Sequence, residues 1–269
     1  MKCFEIDFER VKACVYRSEY NGYGGYFHPI VEFENLCLKS FLGIDEILQT
    51  LQNNTNNFLA GNDASNVLLW GARGCGKSSS IRAVLTHCLL ADNPKSASQE
   101  QNPQCPLRVI EIPKIGIEIL PMTLDFVRNL PYKFIIFCDD LSFGAGDESY
   151  KALKSILDGG FEARASNVLF YATSNMRHLL LEEYAQDTLH LDDKKDEIIA
   201  LSDRFGISMG LYSLGSEDFM RIVNSELSFN AGISDEALRQ KALNYATQKG
   251  SRNARVAKEF AKLYKNHLI

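Results

Sequence analysis

Two rhythms of apolar residues alternate along most of the chain. Short unbroken runs, NVLLWG at 66–71, LRVIEI at 107–112, FIIFC at 134–138, NVLFYATS at 167–174 and ISMGL at 207–211, have the length and composition of buried strands. Between them apolar positions recur every three or four residues. Ile44, Ile47, Leu48 and Leu51 do so within 38–61, and Ile81, Val84, Leu85, Cys88 and Leu89 do so after residue 77. That spacing turns one face of a helix toward a core. Further helices are expected around MTLDFVRNL at 122–130 and over DESYKALKSILDGG at 147–160, the second stopping at Gly159 and Gly160. Strands alternating with helices imply an α/β fold, a parallel sheet covered on both faces.

After Ser213 the alternation stops. Three helices are expected with no strand between them: one from Ser216, one capped by Ser234, and one carrying Val256, Phe260, Leu263 and Tyr264. The expected organisation is an N-terminal arm over 1–35, an α/β body over 36–213 and a small all-helical domain over 214–269. The arm ends in the aromatic, glycine-rich EYNGYGGYFHPIVEF at 19–33, expected to pack against the body. The polar, proline-bearing stretch at 92–106 reads as a loop.

Composition narrows the class without naming a function. The chain is 45% hydrophobic and 23% charged, enough apolar material for a globular core, and its net charge of −5 argues against a broad electrostatic grip on nucleic acid. No apolar run is long enough to span a bilayer, and the start, MKCFEIDFERVKAC, carries charges where a signal peptide would be apolar. A cytoplasmic protein without membrane insertion is expected. The seven cysteines include no C-x-x-C pair, which fits reduced thiols better than a disulfide framework or a zinc site.

Chemistry enters at GARGCGKS, which fits G-x-x-x-x-G-K-[ST] without a mismatch and lies between a strand and a helix. Gly71, Ala72, Arg73, Gly74, Cys75, Gly76, Lys77, Ser78 and the following Ser79 form the expected phosphate cradle. Its glycines let backbone N–H groups wrap phosphates, Lys77 meets the β and γ charges, and the Ser78 hydroxyl coordinates Mg²⁺. Given that loop, the strand ending in Asp139 and Asp140 places Asp139 for Mg²⁺ and Asp140 as the candidate base for an attacking water. YATSN brings Thr173, Ser174 and Asn175 to another strand end, where Asn175 either orients the water or caps a turn. In LSDRFGI, Arg204 suits a γ-phosphate across a subunit boundary or is an ordinary surface arginine. Arg252 and Arg255 stand at the start of the last helix.

This order of loop, acid strand, polar strand end, R-F-G and lid arginine resembles the AAA+ ATPases over roughly residues 36–266. Within them, NVLLWGARGCGKSS, FCDDLSF, YKALKS and LSDRFG are similar to an uncharacterised bacterial subgroup of ATP-binding proteins. The resemblance implies a P-loop NTPase sheet sandwiched by helices and followed by a helical lid, with ATP and Mg²⁺ as cofactors. It implies Gly71 to Ser78 as Walker A, Asp139 and Asp140 as Walker B, Asn175 as sensor 1 and Arg204 as the arginine finger. Arg255 resembles sensor 2 better than Arg252 does. A finger acting in trans implies a homo-oligomer.

One departure matters. Most AAA+ proteins place Glu where this chain has Asp140, one methylene shorter by about 1.5 Å, and a misplacement of about 1 Å can cost about a hundredfold in rate. The expectation is slow, assembly-dependent ATP turnover coupled to remodelling or loading of an unidentified protein or nucleic-acid partner. The alternative is a nucleotide-gated assembly module with little or no hydrolysis. A guanine-nucleotide switch is disfavoured because no N-K-x-D motif occurs, and a threading motor because PKIGIEILPMT at 113–123 has no aromatic. The acidic run at 187–197 reads as a solvated face.

Overall fold

The computed structural model describes residues 5–19, 24–34, 36–90, 106–144, 147–158, 165–179, 199–227 and 236–269. The acidic run at 187–197, the Ser234 cap, the Gly159–Gly160 stop and nearly all of the 92–106 loop lie outside the described residues. The strands are β1 (Ala13–Arg17), β2 (Tyr26–Pro29), β3 (Val67–Gly71), β4 (Leu107–Glu111), β5 (Lys133–Cys138), β6 (Val168–Ser174) and β7 (Ile207–Leu211). They form one seven-stranded sheet in the order β2-β1-β4-β5-β6-β3-β7. Only the β1–β2 pair is antiparallel; every other neighbour is parallel.

The unbroken apolar runs are explained by burial on both faces. Along β5, Phe134, Ile136 and Cys138 enter one core with Leu124 and Val127 of α3 (Leu120–Val127) and Leu153 and Leu157 of α4 (Tyr150–Asp158). Ile135 and Phe137 point the other way, onto Leu51 and Phe58 of α1 (Asp45–Leu59) and Ile81 and Val84 of α2 (Lys77–Leu90). Each such side chain contributes about 1.5–3 kcal/mol. The burial also pushes the Cys138 thiol up to about 12, so it remains a protonated apolar filler.

The pattern over 38–61 is not one helix. A 3-10 turn spans Leu38–Ser40, Gly43 adopts φ +79, and α1 starts at Asp45, where Asp45 and Glu46 face the positive end of its dipole. A buried polar network fixes where β3 enters the sheet. Asn54 of α1 exchanges two hydrogen bonds with the backbone of Ser65, at 2.8 and 2.9 Å, and with Thr55 meets the hydroxyl of buried Tyr171 on β6.

The N-terminal stretch supplies two strands of the sheet. β1 pairs with β4 from Ala13 opposite Val109 to Val15 opposite Glu111, and β2 forms the outer edge, ending at Pro29, where no inward N–H is required. Buried Arg108 secures the junction: its Nε donates to the Phe8 carbonyl at 2.5 Å and its guanidinium lies 4.0 Å from the Tyr132 ring centre. Phe8 in turn packs edge-on against Phe134.

Beyond the sheet, α5 (Ser216–Glu226), α6 (Glu236–Gln248) and α7 (Ala254–Lys265) bury Phe219, Val223, Leu238, Ala242, Val256 and Phe260 in a core of their own. Among the described residues, no helix is long and apolar enough to cross a membrane.

Candidate functional site

Parallel strands deliver their C-terminal ends to one edge of the sheet, and the polar residues singled out at the ends of β3, β5 and β6 meet there. β3 ends at Gly71 with φ +130, pressed so close to β7 that a Cβ would stand 1.9 Å from the Leu211 carbonyl oxygen. Gly74 and Gly76 follow at φ +80 and +98, conformations that leave the loop wrapped around an open cradle. Lys77 begins α2 at 7% exposure, and its Nζ donates to the carbonyls of Gly71 at 2.8 Å and Ala72 at 2.9 Å and to Asn175 Oδ1 at 3.1 Å. Desolvation pushes the Lys77 amine below its ordinary value, opposed by the charges of Cys75, Asp140 and Asp139. Burial raises the Cys75 thiol despite nearby Lys77, which suits a passive loop residue.

Asp139 is held on both oxygens. Its Oδ1 accepts from Ser78 Oγ and from Thr173 Oγ1, each at 2.5 Å, and its Oδ2 accepts from Arg82 at 3.0 Å. Asp140 follows in a left-handed conformation, φ 53, that turns its side chain toward β6. Its backbone N–H donates to Thr173 Oγ1 at 2.9 Å, and its Oδ1 accepts from Asn175 Nδ2. Lys77, Ser78, Asp139, Asp140, Thr173 and Asn175 are thus one connected cluster built from three strand ends. Ser174 instead bonds locally, its Oγ accepting from Met176 N–H at 3.0 Å.

The helical domain closes against this cluster through a residue that the sequence pattern did not single out. Asn253 caps α7 by accepting from Val256 N–H at 2.9 Å, and its amide reaches 180 residues back to the Arg73 carbonyl at 3.0 Å. Beside it the Arg255 N–H points at the Gly74 carbonyl, 3.4 Å away. Gly74 is required here, since a Cβ would stand 2.7 Å from the Asn253 amide. Both arginines at the start of α7 are exposed, but Arg255 lines the cleft beside the loop, whereas Arg252 uses its carbonyl to hold Leu214 at 2.8 Å. Arg82 and Glu111 also escaped sequence reasoning. The available signals were spacing, Arg82 being one turn beyond Ser78, and an acid ending a buried strand, as Asp139 does.

The cleft measures about 640 Å³, within the usual range for a bound small molecule. Phe41, Ile44 and Ile47 give it an apolar wall, Gly74 to Ser79 its floor, and Asp218, Ile222 and Arg255 the lid side. The residues present fit a magnesium nucleotide: Ser78 Oγ and Asp139 are hard oxygen donors, and the glycine cradle and Lys77 suit phosphates. Arg204 is not part of this site. It forms an ion pair with Asp158 at 2.8 Å and lines a second cavity of about 960 Å³, together with Asn66, Lys133 and Gly206, at the N-terminal ends of the strands.

Comparison with known proteins agrees with this architecture. ORC1 of Aeropyrum pernix, solved in complex with DNA, matches with a TM-score of 0.56 and 16% identity over 82% of this chain and 59% of its own. The replication initiator DnaA, solved with AMPPCP and single-stranded DNA, matches with a TM-score of 0.54 and 14% identity over 88% of this chain and 67% of its own. The chain therefore spans less than two thirds of that ORC1. No curated protein matches it. The fold is that of the AAA+ P-loop proteins. A family model described as "Protein of unknown function (DUF815)" matches residues 9–268, and the chain belongs to that family.

Proposed function

We propose that this protein binds ATP with Mg²⁺ and hydrolyses it slowly in an assembly, using turnover to remodel or load a protein or nucleic-acid partner. The observation carrying the reading is the connected cluster of Lys77, Ser78, Asp139, Asp140, Thr173 and Asn175 beside a glycine cradle. Magnesium, when bound, neutralises the β and γ oxygens of the nucleotide. Ser78 Oγ and Asp139 are its ligands in this reading. Lys77 Nζ exchanges the loop carbonyls for the phosphate charge. Asp140 takes the proton of the attacking water at its carboxylate, and Asn175 orients that carboxylate and the water. Arg255 meets the nucleotide from the lid. Arg204 serves the nucleotide of the next copy in a homo-oligomer, because its own loop lies at the far end of the sheet. That the matched ORC1 and DnaA structures contain DNA supports a nucleic-acid partner as one of the two partner classes.

The experiment is phosphate release from wild type and Asp140→Asn across a range of protein concentrations. The variant is expected to keep ATP binding and lose release, and wild-type turnover per chain to rise with concentration. Unchanged turnover in Asp140→Asn would remove Asp140 from the mechanism. The second reading, an ATP-gated binding module, is favoured by the short Asp140 side chain. It predicts nucleotide-dependent assembly without steady-state release.

A further inference from the structure

We propose that Arg82 is a resident counter-ion of the metal carboxylate, a positioning residue that leaves Asp139 for Glu111 when a divalent cation binds. The inference rests on reading Ser78 and Asp139 as Mg²⁺ ligands. One terminal nitrogen of Arg82 lies 3.0 Å from Asp139 Oδ2 and 3.1 Å from Glu111 Oε1, so a single guanidinium bridges two carboxylates. Those carboxylates stand at the ends of neighbouring strands, Glu111 as the last residue of β4 and Asp139 just past β5. The guanidinium also lies over the Phe137 ring, 5.4 Å from its centre, which guides it between the two strand ends.

The arrangement follows from helix geometry. Ser78 and Arg82 are one turn apart on the same face of α2, so they address opposite oxygens of one carboxylate. In the absence of metal, Arg82 holds the Asp139 carboxylate in place through its Oδ2. A divalent cation on Asp139 brings a second positive charge beside the guanidinium, and the two repel. Glu111 then matters: it would let Arg82 retain a full ion pair while the Asp139 carboxylate turns to the metal. Without Glu111, metal binding would strand a half-buried guanidinium; without Arg82, the metal would meet no competitor.

The test is a Mg²⁺ titration of fluorescent ATP-analogue binding, run from EDTA upward on wild type, Arg82→Gln, Glu111→Gln and the double variant. Because the groups are partly exposed, shifts of about threefold are expected. Arg82→Gln should lower the Mg²⁺ midpoint by about that factor, and Glu111→Gln should raise it by about the same. The double variant should match Arg82→Gln, since Glu111 acts only through Arg82. Arg82→Lys, which keeps the charge, should restore most of the wild-type midpoint. A purely structural role would weaken binding equally in EDTA and Mg²⁺ and leave every midpoint in place, which overturns the inference. So does a double variant raised above Arg82→Gln, because Glu111 would then be acting on the metal directly. Failure of wild type to bind nucleotide in either buffer would overturn the site reading and this inference together; binding with unshifted midpoints overturns this inference alone.

Discussion

The two ends of the sheet differ in how far a single chain completes them. At the C-terminal ends of β3, β5 and β6, Asn175 links Lys77 to Asp140, Thr173 and Ser78 hold Asp139, and Asn253 of the last helix docks on the same loop. At the N-terminal ends, Arg204 is 47% exposed, pairs with Asp158 and borders an open cavity. A parallel sheet explains the separation. A residue that follows a strand lies at one edge and a residue that precedes a strand at the other, about 16 Å away across the five residues of β7. In the proposed mechanism Arg204 therefore reaches a phosphate only in a second copy, whereas the phosphate-cradling residues of the loop site come from one chain.

The largest expected effect lies at the incomplete end. Arg204→Ala should lower ATP turnover by about a thousandfold while leaving nucleotide affinity within about twofold of wild type. Mixing it with Lys77→Ala chains, which keep Arg204, should restore part of the turnover. No rescue at any mixing ratio would break the comparison by removing the trans role. At the complete end the deficit should appear in binding instead. Lys77→Ala removes a fixed charge from the phosphate cradle and should weaken ATP by about a hundredfold by calorimetry, because each hydrogen bond from a charged donor to phosphate contributes about 1.5–3 kcal/mol.

What the sequence disclosed follows the same division between local and distant. Val67–Gly71 with the loop and α2 form one contiguous stretch, as do β5 with Asp139 and Asp140, so apolar runs and motif spacing were sufficient. The β1–β2 hairpin was not legible as part of the sheet. Its strands are five and four residues long, and β1 finds its parallel partner almost a hundred positions away, in β4. A strand whose edge is set by a distant neighbour leaves only a weak local signal. The same holds for the Asn253 contact with Arg73 and for the Arg82 bridge: each residue type is ordinary at its position, and only folding brings the partners together. Gly43 shows the opposite case, where one left-handed residue splits a pattern that periodicity joins.

A smaller effect separates lid stability from lid docking. Asn253→Ala removes the α7 cap and should cost about 1 kcal/mol in denaturant unfolding. Asn253→Asp keeps an oxygen for Val256 N–H but lacks the amide that donates to the Arg73 carbonyl. It should recover most of the stability and still weaken nucleotide binding, because a carboxylate then faces the loop carbonyl. Recovery of both properties would show that capping alone, not docking on the loop, is what Asn253 provides.

The smallest effect is expected from Asp158→Asn, and it is the most discriminating. In a single chain the Arg204–Asp158 pair is partly exposed, with Asp158 at 27% and Arg204 at 47%. Such pairs contribute about 0–1 kcal/mol, so unfolding should shift little. If Arg204 acts on a neighbouring copy, it must exchange Asp158 for phosphate, and Asp158 then competes with the working state. Asp158→Asn should accordingly leave turnover unchanged or raise it by about twofold, and should lower the protein concentration at which turnover becomes half-maximal. A drop in turnover as deep as that of Arg204→Ala would mean that Asp158 aims the arginine rather than restraining it. The N-terminal edge of the sheet would then be as pre-organised as the loop edge, with Asp158 holding Arg204 as Thr173 holds Asp139.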